Sequence, residues 1–374
     1  MVQHLTEVVG TTEYEYPVMA VRLPAYTAIE PYLKRIDVNR WYSNFGPLAG
    51  SLGRRLAAHF EASAGSVCLM ANATAALTAA LQEAERRKPN GFCILPSWTF
   101  AASVHAVVLS GLRPLFVDID IGYGGLTPAI AATAITDEVA AIMAVSTFGQ
   151  PVDPAPWENL RMATGVEIVI DAAAAFDTVI PSSIATVVSL HATKPLACGE
   201  GAFVMCEDEG LIERLRRRSN FGFDPDRQAQ VMGNNAKMSE YHAAVAHASL
   251  DEWPVTREHL MHVGQRYRDC LANIPSVAVQ PGWGDKWIST TLNIRLGENS
   301  DLDRLRAGLR TQGVETRSWW GGGCHTQPAF ACFQHTPLPA TDMVANHTLG
   351  LPFSSQLDWS DVDRIASRLQ NLLG

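Results

Sequence analysis

Short apolar segments alternate with longer, helix-like segments between residues 65 and 208. The apolar segments span residues 67–71, 92–95, 114–117, 140–145, 166–170, 185–190 and 202–206. They are continuously apolar rather than alternating with polar residues, which is typical of strands buried on both faces. Because strands that alternate with helices usually form a mainly parallel, doubly wound sheet, the pattern predicts an α/β fold with its ligand site outside the carboxyl ends of the strands.

The pattern changes after residue 222, where strands become fewer. A long helical stretch begins near Lys237, and Pro254 is expected to break or kink it. Further strands are expected at 276–279, 290–294 and 314–318, with helices near 302–309 and 362–372. Since 374 residues exceed the ~100–200 residues of one ordinary domain, we predict a large α/β domain over residues 1–250 and a smaller α+β domain over residues 251–374.

Composition and charge exclude several classes of protein. The chain is 47% hydrophobic and has a net charge of −9, so a surface that binds nucleic-acid phosphates is not expected. The basic run RLRRR at 214–218 is interpreted as a solvated helix face. The seven cysteines are scattered without a C-x-x-C pair, so neither a disulfide framework nor a metal site is indicated. With no apolar run near the ~18 residues of a membrane helix and no signal-peptide pattern, we expect a soluble cytoplasmic enzyme.

Lys194 lies just after a predicted buried strand, in the segment SLHATK at 189–194. Most lysines are solvated surface charges, but a lysine at the end of a buried strand, in a partly desolvated cleft, can lose its proton and attack a carbonyl. Asp171 ends another buried strand, where its carboxylate either caps the next helix or acts on a ligand. Pyridoxal phosphate requires such a pair, because a lysine must hold its aldehyde and an acid must keep its pyridine nitrogen protonated.

Two further segments fit the same cofactor. NATAAL at 72–77 lies where the first strand turns into a helix, so its free backbone amides and the Thr74 hydroxyl can bind a phosphate. Alternatively, Asn72 or Thr74 only caps the helix. PSWTF at 96–100 follows the next strand, and either Trp98 or Phe100 can stack on a flat ring or pack in the core.

Taken in order, these segments belong to a series of motifs that resembles the DegT/DnrJ/StrS group of sugar aminotransferases, which are fold-type-I pyridoxal phosphate enzymes. The resemblance runs from residue 42 to the C-terminal helix. The motifs that carry it are YSNFGPL (42–48), NATAAL (72–77), LPSWTF (95–100), PLFVDID (114–120), FGQPVD (148–153), IDAA (170–173), SLHATK (189–194), GEGA (199–202), GNNAKMSE (233–240) and CHTQP (324–328).

The resemblance implies roles for individual residues. Lys194 matches the lysine that holds the cofactor aldehyde and shuttles a proton, and Asp171 matches the partner of the pyridine nitrogen. Phe100 matches the aromatic residue that stacks on the ring. Asn235 matches an asparagine that reaches the cofactor phosphate of the neighbouring subunit, which implies a homodimer with shared active sites. The remaining contacts to the phosphate match Ala73, Thr74 and Ser189.

The sequence departs from the family pattern in two places. Ala174 stands where relatives often have Gln or His available to the ring oxygen, so that contact is absent or comes from another group. WWGGGCH at 319–325 is unusually rich in glycine, and we interpret it as a loop that faces the substrate, with ordinary turn chemistry as the alternative. We therefore expect Trp320 and His325 to contact the substrate.

The resemblance also implies a two-stage amino transfer. An amino acid donor, expected to be L-glutamate, gives its amino group to the cofactor, and a nucleoside-diphosphate keto-deoxysugar then takes that group at C3 or C4. A pyridoxal phosphate-dependent sugar dehydratase is an alternative, although that branch typically carries His at the position of Lys194. Another pyridoxal phosphate lyase and a cofactor-binding regulatory protein without turnover are the remaining alternatives.

Overall fold

The computed structural model describes residues 14–373, and its strands form two sheets. The strands are β1 (Val67–Met70), β2 (Phe92–Pro96), β3 (Arg113–Val117), β4 (Val139–Val145), β5 (Glu167–Asp171), β6 (Ala185–Ser189), β7 (Ala202–Met205), β8 (Val277–Val279), β9 (Leu292–Leu296), β10 (Gln334–His335) and β11 (Thr348–Leu351). The larger sheet has the order β1-β7-β6-β5-β4-β2-β3-β10. Its neighbouring strands are parallel except at β7, which is antiparallel to β1 and β6. The predicted α/β class with a mainly parallel sheet is therefore confirmed.

Helices connect these strands. They are α1 (Tyr26–Asn39), α2 (Pro47–His59), α3 (Ala73–Arg87), α4 (Ala101–Leu109), α5 (Pro128–Thr133), α6 (Pro154–Thr164), α7 (Glu209–Ser219), α8 (Glu240–Leu271), α9 (Leu302–Thr311), α10 (Pro339–His347) and α11 (Trp359–Leu373). Several begin at a side chain that accepts a backbone N–H of the first turn, as Asn72 does for α3 and Ser239 for α8. Such caps satisfy a backbone donor that would otherwise have no partner within the helix.

Both faces of the larger sheet are buried. Ile168 and Ile170 of β5 pack in one hydrophobic cluster, whereas Val169 packs in another. Because successive side chains of a strand point to opposite faces, each face of the sheet has its own core. Helices α2 and α8 contribute to the first core, and α3 and α4 contribute to the second. Continuous apolar strands therefore predict the burial correctly.

Helix α8 joins this large unit to a second one. Its first half packs against the large sheet through residues such as Ala244 and Trp253, and its second half packs in a separate core through Leu260 and Tyr267. Of the break or kink expected at Pro254, the break is wrong, because the helix runs through this residue from Glu240 to Leu271, and the kink stays a prediction. The domain boundary at residue 250 falls within the helix and stays a prediction.

The smaller sheet has the order β11-β9-β8 and is antiparallel. The predicted strand at 314–318 is wrong, since this segment makes only isolated bridges, from Val314 to Tyr16 and from Arg317 to Gly350. Tyr16 is buried in the same core as the smaller sheet. The segment near the start of the described chain therefore packs with residues that lie near its end.

The basic run at 214–218 is not a uniformly solvated helix face. Arg218 on α7 has only 5% of its side chain exposed, and its Nε lies 2.8 Å from Oε1 of Glu83 on α3. Nε of Arg214 lies 2.8 Å from the other oxygen of the same carboxylate. Arg216 and Arg217 are partly exposed and pair with Glu213 on their own helix. The solvated interpretation is wrong for Arg218, because the run places one arginine on the buried side of the helix.

Within residues 14–373, no helix is both long and apolar enough to cross a membrane. Over the same residues, no group of three or more His, Cys, Asp and Glu side chains lies where it could hold a metal ion. All seven cysteines are free, and most of them are buried. Burial raises the pKa of Cys68, Cys198 and Cys324 to about 12, which keeps these thiols protonated and unreactive.

Candidate active site

The predicted site residues gather at the carboxyl ends of the parallel strands. Asp171 is the last residue of β5, and Ser189 is the last residue of the adjacent β6. Lys194 follows β6 on a turn that is closed by backbone hydrogen bonds, among them Ala192 N–H to the Gly199 carbonyl at 2.9 Å. This is the edge at which a doubly wound sheet binds its ligands.

Lys194 is held in a desolvated position. Burial lowers the pKa of its amine, and the negative charge of Asp171 acts in the opposite direction. The backbone on either side is fixed, because Lys194 N–H donates to the His191 carbonyl at 2.9 Å and the Thr290 hydroxyl donates to the Thr193 carbonyl at 2.7 Å. A lysine with a lowered pKa has a larger neutral fraction near neutral pH, and the neutral amine is the nucleophile.

Asp171 is a buried carboxylate with fixed oxygens. Only 6% of the residue is exposed. The Ser103 hydroxyl donates to Oδ2 at 2.7 Å, and the Ala173 N–H donates to Oδ1 at 3.1 Å. Burial raises the pKa of Asp171, whereas these two hydrogen bonds and the Lys194 charge lower it. A buried anion of this kind favours the protonated form of a ring nitrogen placed beside it.

The start of α3 offers unpaired backbone donors. The Asn72 side chain accepts the Ala75 N–H at 2.9 Å, and the Asn72 carbonyl accepts the Ala76 N–H at 3.2 Å. Asn72 is therefore the helix cap, whereas Thr74 is not. The N–H groups of Ala73 and Thr74 have no partner within the helix, since the first N–H groups of a helix never do. Together with the positive end of the helix dipole, they suit a phosphate.

Ser189 and Asn235 differ in what surrounds them. Ser189 is buried, and its oxygen accepts the His191 N–H at 3.2 Å, which leaves its hydroxyl proton available to a ligand. Asn235 is exposed on the segment between α7 and α8. Its Oδ1 accepts the Lys237 amine at 2.7 Å. In the part of the chain that the structure describes, Asn235 contacts Lys237 and Asn220 rather than the Lys194 site.

The two candidate stacking residues occupy opposite environments. Trp98 is 2% exposed and packs edge-on against Phe148 and Trp320. Phe100, just before the start of α4, is 62% exposed. Residue type alone leaves both aromatics open, and the family resemblance selects Phe100. In the structure Trp98 is a core residue, and the ring of Phe100 remains free to cover a cofactor.

The loop with His325 is fastened to the turn after β2. The Ser97 oxygen accepts the His325 N–H at 3.0 Å, and the Ser97 hydroxyl lies 2.7 Å from Nδ1 of the His325 ring. Gly323 has a φ of 90°, and a side chain there would lie 3.1 Å from the Ser97 oxygen, so glycine is required. Trp320 stacks on Phe148 with ring centres 3.9 Å apart. The glycine-rich segment thus packs on the turns that follow β2 and β4, at the carboxyl edge of the sheet. Trp320 lies there in contact with Trp98 and Phe148.

The geometry fits pyridoxal phosphate. A half-buried amine and a buried carboxylate suit its aldehyde and its ring nitrogen, and the start of α3 with Ser189 suits its phosphate. Phe100 offers a free aromatic face. The donor set therefore agrees with the chemistry that the sequence predicts.

Comparisons with known proteins agree over nearly the whole chain. The sequence model of the DegT/DnrJ/EryC1/StrS aminotransferase family matches residues 26–370. A dTDP-4-amino-4,6-dideoxy-D-glucose transaminase of Shigella dysenteriae is 30% identical over 94% of this chain and 97% of its own length. Among solved structures, DesI in the presence of its TDP-sugar product is 30% identical with a TM-score of 0.84, over 95% of this chain and 92% of DesI. A PLP-dependent aminotransferase of Bacillus cereus ATCC 10987 is 28% identical with a TM-score of 0.89, over 95% and 99%.

This chain belongs to the DegT/DnrJ/EryC1/StrS aminotransferase family. The predicted family, the enzyme class of a sugar aminotransferase and the cofactor pyridoxal phosphate are thereby confirmed. The roles given to individual residues stay predictions.

This family member has site residues that the sequence does not single out. Ser103 contacts Asp171 directly, and Ser97 anchors the His325 loop. Ser289 donates to the carbonyl of Ala174 at 3.1 Å, at the position that lacks the family's Gln or His. The only signal for Ser97 and Ser103 is a set of hydroxyl residues in PSWTFAAS at 96–103, and hydroxyl residues are common at the start of any helix.

Proposed function

We propose that the protein transfers the amino group of L-glutamate to the keto group of a nucleoside-diphosphate keto-deoxysugar, at C4 or C3. The observation that carries the proposal is that the half-buried Lys194, whose amine has a lowered pKa, and the buried carboxylate Asp171 lie at the same edge of the sheet as the free amides that begin α3. The names of the Shigella transaminase and of DesI with its TDP-sugar product support a nucleotide-linked sugar. A 4-keto sugar is the first substrate to test, because the Shigella relative is named for a 4-amino product.

Lys194 and Asp171 divide the acid and base work. When bound, the cofactor supplies an electron sink for the negative charge that forms at the donor's α-carbon. Asp171 keeps a proton on the ring nitrogen, since a cation there is stabilised by an adjacent buried carboxylate. The Lys194 amine takes the proton from the donor's α-carbon in the first stage and returns a proton to the sugar carbon in the second. Glutamate leaves as 2-oxoglutarate, and the sugar ketone becomes an amine.

The remaining residues bind and orient. The amides of Ala73 and Thr74, with the Ser189 hydroxyl, would hold the cofactor phosphate, and Phe100 would cover the ring. His325 and Trp320 would line the side from which the sugar enters. Asn235 would complete the phosphate site of a second copy of the chain, which makes a homodimer part of the proposal. Its exposure on the segment between α7 and α8 supports this role.

The decisive experiment replaces the lysine. Lys194→Ala should lower the release of 2-oxoglutarate from glutamate by about 10²–10⁴-fold, because the general base is lost. It should also abolish the visible absorbance of the lysine-bound cofactor while leaving the unfolding midpoint near that of the wild type. Lys34→Ala, at an exposed lysine on α1, is the matched control and should keep full activity.

The same assay separates the alternatives. A wild-type enzyme that releases 2-oxoglutarate and aminates a dTDP-linked keto-sugar supports the proposal. Loss of a sugar hydroxyl without net amino transfer would indicate a dehydratase, and cleavage of an amino acid substrate would indicate another lyase. Cofactor binding without a half-reaction with any amino acid would indicate a regulatory protein. A fully active Lys194→Ala variant would overturn the assignment of the lysine.

A further inference from the structure

Three buried side chains, Thr99, Ser103 and Asp171, form a continuous series of hydrogen bonds at the site, which we call the relay. The Thr99 and Ser103 oxygens lie 2.8 Å apart, and the Ser103 oxygen lies 2.7 Å from Oδ2 of Asp171. Thr99 is 0% exposed, Ser103 is 1% exposed and Asp171 is 6% exposed. No step of the proposed reaction uses either hydroxyl, so their contact with the carboxylate needs a separate account.

The direction of these hydrogen bonds follows from their chemistry. An ionised carboxylate only accepts hydrogen bonds. Ser103 must therefore donate its single proton to Asp171, and its oxygen is then left to accept the Thr99 proton. Hydrogen bonds linked in this way polarise one another, and a bond that ends on an ion is stronger than a neutral one.

Thr99, the residue of the relay farthest from Asp171, is held in place by the loop that carries His325. The Thr99 N–H donates to the Ser97 carbonyl at 3.0 Å, and the Cys324 thiol lies 3.2 Å from the Thr99 carbonyl. Cys324 N–H donates to the same Ser97 carbonyl at 2.8 Å, and the adjacent His325 is bound to Ser97 as described above. These bonds fix the backbone of Thr99, and its side chain contacts Ser103 from that fixed position.

We infer that Thr99 and Ser103 are positioning residues that hold Asp171 ionised and aimed at the cofactor's ring nitrogen. The inference rests on the role proposed for Asp171. Without the relay, the carboxylate would keep the Ala173 N–H on Oδ1 and the Lys194 charge across the site, but Oδ2 would have no donor. A carboxylate with a free oxygen can rotate and is more easily protonated, and both changes weaken its bond to a cationic ring nitrogen.

The test uses purified holoenzyme and two readouts besides activity. The first is the cofactor dissociation constant, and the second is the pH midpoint of the visible absorbance change. Ser103→Ala should weaken cofactor binding about tenfold, since a hydrogen bond to a charged group is lost. It should also raise the pH midpoint, because a weaker positive charge on the ring repels the proton on the lysine-linked nitrogen less strongly. Thr99→Val should shift both readouts in the same direction by a smaller factor.

Two variants provide matched controls. Ser110→Ala removes a buried hydroxyl at the other end of α4, where it donates to the Val107 carbonyl, and should leave both readouts unchanged. Ser103→Thr keeps a hydroxyl at the same position and should restore the wild-type pH midpoint. An unfolding midpoint for each variant separates a loss of fold from a loss of positioning.

The outcome for Asp171→Asn separates this inference from the proposed function. If Asp171→Asn shifts the absorbance midpoint and neither Ser103→Ala nor Thr99→Val does, the relay is overturned while the role of Asp171 stands. If Asp171→Asn itself has no effect on either readout, the proposed role of Asp171 fails. A shift in Ser103→Ala and Thr99→Val that matches Asp171→Asn in sign supports the relay.

Discussion

His247 is a buried histidine with both ring nitrogens committed. The Arg55 guanidinium can only donate, so Nδ1, 2.8 Å away, accepts and carries no proton. Nε2 then carries the proton of the neutral ring and donates to the Leu48 carbonyl at 3.0 Å. The Tyr32 ring stacks on it with centres 4.9 Å apart. Burial lowers the pKa of His247, and the Arg55 charge lowers it further. A proton on Nδ1 would break one hydrogen bond and meet a like charge.

This geometry predicts a loss of stability in mild acid. The folded-state pKa lies below the unfolded value of about 6.5, so the unfolded chain binds more protons in the window between the two and stability falls as the pH drops through it. His247→Gln, whose amide can both accept from Arg55 and donate to Leu48, should lose less stability than the wild type between about pH 7.5 and about pH 5.5. Urea unfolding at both pH values measures the difference.

His262→Gln, at an exposed position on the same helix, is the control and should keep the wild-type change of unfolding free energy with pH. An equal, wild-type change in His247→Gln would contradict the assignment.

Individual site residues are predictable from the sequence when the strand pattern positions them. Lys194 and Asp171 follow continuous apolar strands, so their place at the sheet edge can be read directly. The choice between Trp98 and Phe100 cannot be read from the strand pattern and depends on the family resemblance, because Trp98 is buried by Phe148 and Trp320, which lie far away in the sequence. Ser103 cannot be read from the strand pattern either, since only the folded sheet brings α4 beside the end of β5.

Elements are predicted well where burial on both faces determines them. The strands of the large sheet agree with the apolar segments to within a residue or two at each end. Strand β10 is missed because Gln334 and His335 are exposed and polar, and they form a strand only by pairing with β3. The segment at 314–318, VETRS, contains two β-branched residues but only one apolar side chain, and it makes only isolated bridges to residues that are distant in sequence.

The contact between α3 and α7 depends on one buried carboxylate. Glu83 accepts from Arg218 and Arg214, and Arg218 also donates to the Met232 carbonyl at 2.9 Å. Arg218 further accepts the Asn234 N–H through its own carbonyl at 2.8 Å. The ion pair therefore links α3, the helix that begins at the proposed phosphate site, to the segment that carries Asn235.

Glu83→Gln should destabilise the protein by about 3 kcal/mol, because it leaves the buried Arg218 cation without a counter-charge. Hydrogen exchange should also speed up in the segment 228–236, which loses its anchor. Urea unfolding and exchange measured by mass spectrometry test both effects. Glu213→Gln, which breaks only exposed pairs on α7, is the control and should cost well under about 1 kcal/mol. A similar loss of unfolding free energy in both variants would show that the buried pair contributes no more to stability than the exposed pairs.

At the scale of the whole molecule, Asp177 fastens the two packed units to each other. Its side chain is 5% exposed and accepts from Arg257 of α8 and from the Ile288 N–H, 3.1 Å away, in the segment between β8 and β9. The same segment reaches the large sheet again through Thr290, whose hydroxyl binds the carbonyl next to Lys194. Since no local pattern marks such contacts, the sequence predicts two units but not the way in which they close on the site.

Asp177→Ala should therefore loosen the small unit without disturbing the large sheet. The Ile288 N–H loses its partner, whereas Arg257 is partly exposed and can turn to solvent, so we expect a loss of about 2 kcal/mol rather than the full penalty of a buried broken pair. Hydrogen exchange should increase across residues 280–291 and stay unchanged in β4. The rate of amino transfer should fall as well, because the backbone beside Lys194 is held by that segment.

Asp363→Ala, which removes a half-exposed partner of Arg266 on the opposite side of α8, is the control and should leave hydrogen exchange in 280–291 unchanged. Faster exchange in β4 than in 280–291 would show that Asp177 supports the large core instead of joining the two units.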